Sequence, residues 1–299
     1  MELNKDEITT PPRDAASVVL LRDTDEGLEV FLLRRASASA VLGGAYVFPG
    51  GKVDDADAEP ETLSHLTRPA DQLQPTLNQA DLAAARAAGL YVAALREAFE
   101  EAGVLLAQWQ RRTPTLQELA DAAKRLNAGT ALPELLVELG ARLDADAIVP
   151  WSRWITPKRA AVMTKRFDTR FFVAGLPPGQ HAQHDNHETD ESVWLSPHRA
   201  LQQYYDSQID LAPPQIMSLA HLAQHTTVAS VMAEARAKRP PLVEPQTVEA
   251  TDDTRILCYP GDPAHTVAER ALPGPTRLHF INKRFAPPDG QADWWRALV

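Results

Sequence analysis

The feature that most constrains this chain is the run Arg96-Glu97-Ala98-Phe99-Glu100-Glu101-Ala102-Gly103-Val104. If it is helical, Glu97, Glu100 and Glu101 stand at i, i+3 and i+4 and project from one face. Like charges at that spacing cost a few tenths of a kcal/mol per pair, and only Arg96 offers local relief, in the less favourable order for a helical pair. A solvated acidic face is one reading of such a run. The other is a site for a hard divalent cation, since Mg²⁺ typically takes one or two carboxylates together with substrate phosphates.

Upstream lies Phe48-Pro49-Gly50-Gly51-Lys52-Val53-Asp54. Paired glycines at the end of an apolar strand permit a tight turn and a close approach of ligand to backbone. Together the two segments resemble the signature of the nudix hydrolases, G-x5-E-x7-R-E-U-x-E-E-x-G-U, where U is a bulky apolar residue. Gly51 resembles its first glycine, and Arg96-Glu97, Glu100-Glu101, Gly103 and Val104 its second half. The chain departs from the pattern in three ways. The first glutamate falls on Asp57, one methylene shorter, and Ala98 stands where a larger apolar residue is usual. In addition, 38 residues separate Asp57 from Arg96 where the ordinary signature has 7. The signature is therefore split by an insert.

A second resemblance narrows the substrate. Phe31-Leu32-Leu33-Arg34-Arg35-Ala36, Gly44 and Phe48-Pro49-Gly50-Gly51 resemble the pattern that coenzyme A-cleaving nudix enzymes carry before the signature, with Ala40 in place of a second arginine. The split signature and the strand Arg166-Phe167-Asp168-Thr169-Arg170-Phe171-Phe172 look most like the acyl-coenzyme A diphosphatases of peroxisomal type and their bacterial relatives. The likeness spans roughly residues 17–200.

The resemblance implies a nudix α/β/α sandwich with a mixed sheet. It also implies a pyrophosphohydrolase that uses Mg²⁺ or Mn²⁺ held by Glu97, Glu100 and Glu101. Such an ion polarises phosphoryl oxygens and acidifies water. Arg96 would orient Glu97, itself a candidate base. Gly50 and Gly51 would approach the substrate, and Arg35 would contact phosphate through its guanidinium fork. Arg35 has the alternative of a surface arginine at a strand end. Glu191, in the acidic stretch Glu188-Thr189-Asp190-Glu191, is a further candidate metal ligand, with a solvated loop as its alternative. Arg166 and Arg170 are candidate phosphate contacts, or partners of acidic neighbours. His181, His184 and His187 read as a polar flexible loop rather than a metal cluster.

Three functions are consistent with these residues. They are cleavage of coenzyme A or acyl-coenzyme A to 3′,5′-ADP and phosphopantetheine, pyrophosphatase action on ADP-ribose or a dinucleotide, and a nudix-fold binding module without turnover. The last has no use for so costly a carboxylate cluster.

Composition bounds the rest. At 299 residues, 44% hydrophobic and 23% charged, the chain is of ordinary globular make-up. A net charge of −10 speaks against broad nucleic-acid binding but allows a small anionic substrate neutralised by metal ions and a few local arginines; the resemblance implies a nucleotide-containing one. The single Cys258 excludes an internal disulfide and a thiolate zinc cluster. No apolar run reaches the length of a membrane span, and the N-terminus lacks a secretory pattern, so a cytoplasmic location is expected.

Strands are expected over 15–22, 29–35, 151–156, 166–174 and 193–195. Helices are expected over 79–106, 115–126, 132–143, 197–205, 213–224 and 226–238, with Gly89 a point of interruption in the first. This divides the chain into a nudix domain over 12–206 and a helical, proline-rich extension over 207–299. The domain carries an insert at about 58–80 and a helical insertion at about 108–147. The tail carries short strand-like pieces at 255–259 and 277–281 and is left open among a β appendage, an arm forming a homodimer, and a lid.

Overall fold

The computed structural model describes residues 4, 6–36, 42–160, 162–185, 189–249 and 255–288. Its organising element is β1 (Arg13–Thr24), whose middle is apolar without interruption. Ala16, Val18 and Leu20 enter one core, and Val19 and Leu21 enter another on the opposite face. Side chains alternate along a strand, so a strand that feeds two cores lies inside a sheet covered on both sides. A tight turn joins β1 to β2 (Gly27–Arg35), with Thr24 opposite Gly27. Two short strands follow, β3 (Ala45–Val47) and β4 (Gly50–Lys52).

The insert expected at 58–80 contains α1 (Pro60–Leu63), α2 (Ala70–Leu73) and a 3₁₀ turn over Gln74–Leu77, and it buries Leu66, Leu73 and Leu77 in the first core. The long helix α3 (Ala84–Ala102) then runs through Gly89 without a break. The missing side chain at Gly89 accommodates the insert, since a Cβ there would lie 2.9 Å from Ala58 Cβ. Gly103, in the left-handed conformation at φ +67°, ends the helix and donates its N–H back to Phe99 O.

The second insertion holds β5 (Ala107–Trp109), α4 (Leu116–Asn127), α5 (Leu132–Leu139) and β6 (Ala141–Leu143). The helix expected over 132–143 is shorter than its apolar pattern. Gly140, at φ +61°, caps it, and the last three residues pair with β5 instead. The sheet resumes with β7 (Val149–Ile155), β8 (Phe167–Gly175) and β9 (Thr189–Leu195), then α6 (Pro197–Tyr205).

Past residue 206 the chain stays in the same fold. β10 (Asp210–Leu211) pairs with β3; α7 (Pro213–Leu222) and α8 (Val228–Ala237) cover the second face; β11 (Leu242–Val243) pairs with β7. The order is β10-β3-β2-β1-β8-β7-β11, with β4 added to β1 and β9 to β2. Parallel pairing of β1 with β8 among antiparallel neighbours makes the sheet mixed. The expected α/β/α sandwich is thus present.

The tail forms a β appendage, one of the readings left open for it. β12 (Gln246–Glu249), β13 (Arg255–Cys258), β14 (Arg277–Ile281) and β15 (Arg284–Ala286) form an antiparallel sheet that packs Leu257, Leu278, Phe280 and Phe285 into the second core. Prolines interrupt the segments between these strands rather than the strands themselves. Among the described residues no helix is long and apolar enough to cross a membrane.

The contact at Gly89 is testable. Gly89→Val drives a branched side chain into the backbone around Ala58, and overpacking of this kind costs about 1–3 kcal/mol. The urea midpoint is expected to fall accordingly, and an unchanged midpoint would show that the insert does not bear on α3.

Candidate active site

The two halves of the split signature meet in space. β4 is held against β1 by the pairing of Ala16 with Gly51 and Ser17 with Gly50, and Ser17 Oγ donates to Pro49 O at 2.8 Å. This carries the glycine loop across the C-terminal part of α3. The Gly50 N–H donates to Glu101 Oε2 at 2.8 Å. A Cβ on Gly51 would stand 2.4 Å from Glu97 Oε1, so only glycine allows this approach.

Arg96 sits at the centre and is 8% exposed. Its Nε and Nη2 donate to the two oxygens of Asp57 at 2.9 and 3.0 Å, a bidentate fork. Nη1 donates to Glu97 Oε1 at 2.9 Å and Glu100 Oε2 at 2.7 Å, and Nη2 also reaches Lys52 O at 3.0 Å. Asp57 is 2% exposed and also accepts from the Asp54 N–H at 2.9 Å. Burial works against the Arg96 charge, but the bonds from Asp57 and the neighbouring carboxylates outweigh it and push its pKa up. One methylene shorter than the signature's glutamate, Asp57 is placed for this bond by the 3₁₀ turn over Asp55–Ala58.

Burial is also the main influence on the carboxylates. It pushes Glu97 up to about 7, against the pull of Arg96 and with the help of the Glu100 charge, and it raises Glu100 as well. Carboxylates held close together with raised proton affinity, beside backbone that only glycine permits, fit a hard divalent cation. Glu97, Glu100 and Glu101 are the residues that would hold it. Their oxygens share Arg96 and the Gly50 N–H, and so are gathered from two directions.

Gly50, Gly51, Arg96, Glu97 and Glu100 line part of a cleft of about 560 Å³, with Glu101 behind them. Arg35 lines it too, together with Arg13, Lys52 and Lys165. The last three are exposed, and their side chains form no ion pair among the described residues. Arg13 and Lys165 reach the same cleft because Arg13 pairs in parallel register with Phe167 and donates its N–H to Arg166 O at 3.0 Å. Much of the remaining lining is apolar and includes Val162, Met163, Pro213, Pro214, Leu257 and Phe285.

Three of the residues named from sequence sit elsewhere. Arg170 is buried on the α3 side of the sheet, with Nη1 on Asp14 Oδ1 at 2.5 Å and Nη2 on Gln79 Oε1 at 2.6 Å. Arg166 donates to Thr156 O at 2.7 Å and to Glu244 Oε1 at 3.1 Å. Neither lines the cleft. Alternation along β8 explains this, since Phe167, Thr169 and Phe171 take the cleft face. Glu191 faces Arg34 across β2 and β9 and binds its Nη1 at 2.7 Å, also outside the cleft lining. His184 Nδ1 lies 2.9 Å from Ser192 Oγ. Ala40, His187 and Glu188 lie outside the described residues. The cations Arg13, Lys52 and Lys165 were missed, because nothing local in the sequence marks them.

Comparison with known proteins agrees with this geometry. The NUDT19 Nudix domain family matches residues 12–222. The acyl-coenzyme A diphosphatase NUDT19 of Gallus gallus is 31% identical over 245 residues, covering 67% of this chain and 62% of the relative. The human protein of the same name is 29% identical over 238 residues, covering 69% and 63%. The chain thus spans a little under two thirds of these relatives' length. The crystal structure of a NUDIX hydrolase from Alicyclobacillus acidocaldarius superposes with a TM-score of 0.63 at 27% identity, covering 75% of this chain and 97% of the other.

The raised Glu97 carboxyl sets a pH dependence. With a folded value of about 7 against an ordinary 4.5, the metal-free folded state binds the extra proton between those values. Its stability therefore declines as pH rises through that window and levels off above it. Urea midpoints measured in chelator across this range should show the decline in wild type and a flatter profile in Glu97→Gln; coincident profiles would assign the slope to other groups.

Proposed function

Because the chain belongs to the NUDT19 Nudix domain family, we propose that it hydrolyses coenzyme A or its acyl thioesters to 3′,5′-ADP and (acyl)phosphopantetheine. The observation that carries this reading is the cleft itself. It joins the carboxylate cluster of α3 to a cationic mouth and a long apolar wall in one space of about 560 Å³, within the usual range for a small-molecule site. Coenzyme A has matching parts, namely a diphosphate, a separate 3′-phosphate and an extended arm ending in a thiol or thioester.

The reaction adds water across one P–O–P bridge. The water oxygen bonds to phosphorus, the bridging oxygen leaves as a phosphate monoester, and one proton must be taken up. A Mg²⁺ or Mn²⁺ ion bound at Glu97, Glu100 and Glu101 would supply charge neutralisation of the phosphoryl oxygens. Arg96 fixes Glu97 against the glycine loop. Glu97, held in place by the Arg96 Nη1 donor at 2.9 Å, is the candidate to take that proton. Arg13 and Lys165 stand where they can take a phosphate distinct from the one at the cluster. Val162, Met163 and Leu257 exclude water along the arm.

The test is turnover of the purified chain, with Mg²⁺ or Mn²⁺, against coenzyme A, an acyl-coenzyme A, dephospho-coenzyme A, ADP-ribose and NADH. Coenzyme A or its thioester is expected to be cleaved best. Glu100→Gln and Glu101→Gln should each lose about two decades or more of kcat, since each removes a charged oxygen that supports several kcal/mol of transition-state stabilisation. Rapid ADP-ribose cleavage with coenzyme A untouched would overturn the substrate assignment, and wild-type rates in both variants would overturn the site.

The cationic mouth gives a separate expectation. The double change Arg13→Ala and Lys165→Ala should lower kcat/KM for coenzyme A by one to two decades, from about 1.5–3 kcal/mol of lost charged contact. Dephospho-coenzyme A should be much less affected. Equal losses on both substrates would place the 3′-phosphate elsewhere.

A further inference from the structure

On the far side of the sheet from α3, a second group of ligating side chains stands apart from the cleft carboxylates. His221 lies in the last turn of α7, His225 in the turn that follows, and Glu234 in the middle of α8. His221 Nε2 is 2.9 Å from Glu234 Oε1, and His225 Nε2 is 2.7 Å from Glu234 Oε2. One ligand atom from each residue falls within 4.8 Å of the others. Ligands about 2.0–2.1 Å from a tetrahedral ion lie about 3.3 Å apart, so each His–Glu pair would open by about half an ångström and the two imidazole nitrogens would close by up to about 1.5 Å to admit one.

The hydrogens point the same way. The Ser230 hydroxyl donates to Thr227 O at 3.1 Å, which leaves Ser230 Oγ to accept from His225 Nδ1–H at 2.8 Å. His225 Nε2 then faces Glu234 Oε2 at 2.7 Å, a gap that either a proton or a metal ion bridges. A hydrogen bond that fixes the outer ring nitrogen is also the usual support for a metal-bound histidine. His221 is 6% exposed and its Nδ1 has no partner, so nothing on that side commits Nε2 to carry the proton. Burial, with the Lys238 charge beside it, pushes this ring down to about 4, which leaves it in the neutral, ligating form near neutral pH.

A cation already serves the site. The Lys238 ammonium bonds Glu234 Oε1, lies 3.4 Å from His221 Nε2 and stands 4.0 Å over the Trp151 ring. It leaves the Glu234 Oε2–His225 side unserved, and its side chain is 28% exposed, so the ammonium can turn out to solvent. Two imidazoles and one carboxylate favour zinc-class ions over the hard cations that all-oxygen sites select.

We propose that His221, His225 and Glu234 form a binding site for a divalent transition metal of the zinc class, taken up in exchange for the Lys238 ammonium. The ion would tie α7 to α8 behind the wall of the cleft, since Pro213 and Pro214 at the other end of α7 line that wall.

The test uses the full chain, freed of metal by chelator and titrated with Co²⁺ as a visible probe. A four-coordinate site with imidazole ligands gives an intense absorption band, whereas an all-oxygen six-coordinate site gives a faint one. The band should appear in wild type and in Glu100→Gln, disappear in His225→Gln, and be displaced by Zn²⁺. Lys238→Met should bind about tenfold more tightly, and Zn²⁺ should raise its melting temperature. No band in either wild type or Lys238→Met would overturn the proposal and leave a lysine-bridged network. So would a band that survives His225→Gln but is lost in Glu100→Gln, which would put the ion in the cleft. Circular dichroism of His225→Gln separates loss of a ligand from loss of fold, and the Lys238→Met result decides independently of it.

Discussion

One guanidinium holds the site together. Arg96 directs its donors to Asp57, Glu97, Glu100 and the Lys52 carbonyl. These partners arrive from the 3₁₀ turn before the insert, the helix itself and the glycine strand. A buried arginine without them would be untenable, and the carboxylates without it would repel one another. The planar fork resolves both problems, because its donors are fixed in directions that a lysine ammonium could not supply. β4, the 3₁₀ turn over Asp55–Ala58 and the acidic face of α3 are all tied to this one side chain.

The second face of the sheet explains why the chain continues past residue 206. β1 and β2 send Val19, Leu21, Val30 and Leu32 away from α3, and without α6, α7, α8 and the terminal sheet these would meet water. A sheet that is apolar on both sides requires two coverings. The C-terminal part is therefore half of the sandwich, and it also brings Leu257 and Phe285 to the cleft.

Much of this was legible in the sequence where the signal is local. The i, i+3, i+4 spacing put Glu97, Glu100 and Glu101 on one face, and the spacing from Gly51 singled out Asp57. The strand pieces at 255–259 and 277–281 were visible in an otherwise irregular tail. Gly140 was available as a stop signal and was overlooked, so α5 was read too long. What depends on pairing between distant segments was out of reach. Arg13 and Lys165 are brought to one cleft only through the parallel register of β1 and β8. Arg166 and Arg170 carry the same charge as phosphate contacts would, but Asp14 and Glu244 come to them through the fold. The periodicity that placed Arg170 opposite Phe171 was right; which face held the cleft was not deducible.

The insert between Asp57 and Arg96 has a consequence for how freely this family of shapes can vary. Lengthening a flexible connection from 7 to 38 residues costs only about 1.5 kcal/mol of closure entropy, because the cost grows with the logarithm of length. Each charged hydrogen bond across that gap contributes about 1.5–3 kcal/mol, and Arg96 makes two of them to Asp57. The latch thus outweighs the loop it closes. At the exposed turn of Ala80 and Asp81, between the packed Leu77 and Leu82, a connection twice as long would cost about 0.6 kcal/mol more. That turn is a place where new surface can be grafted without disturbing the chemistry beneath it.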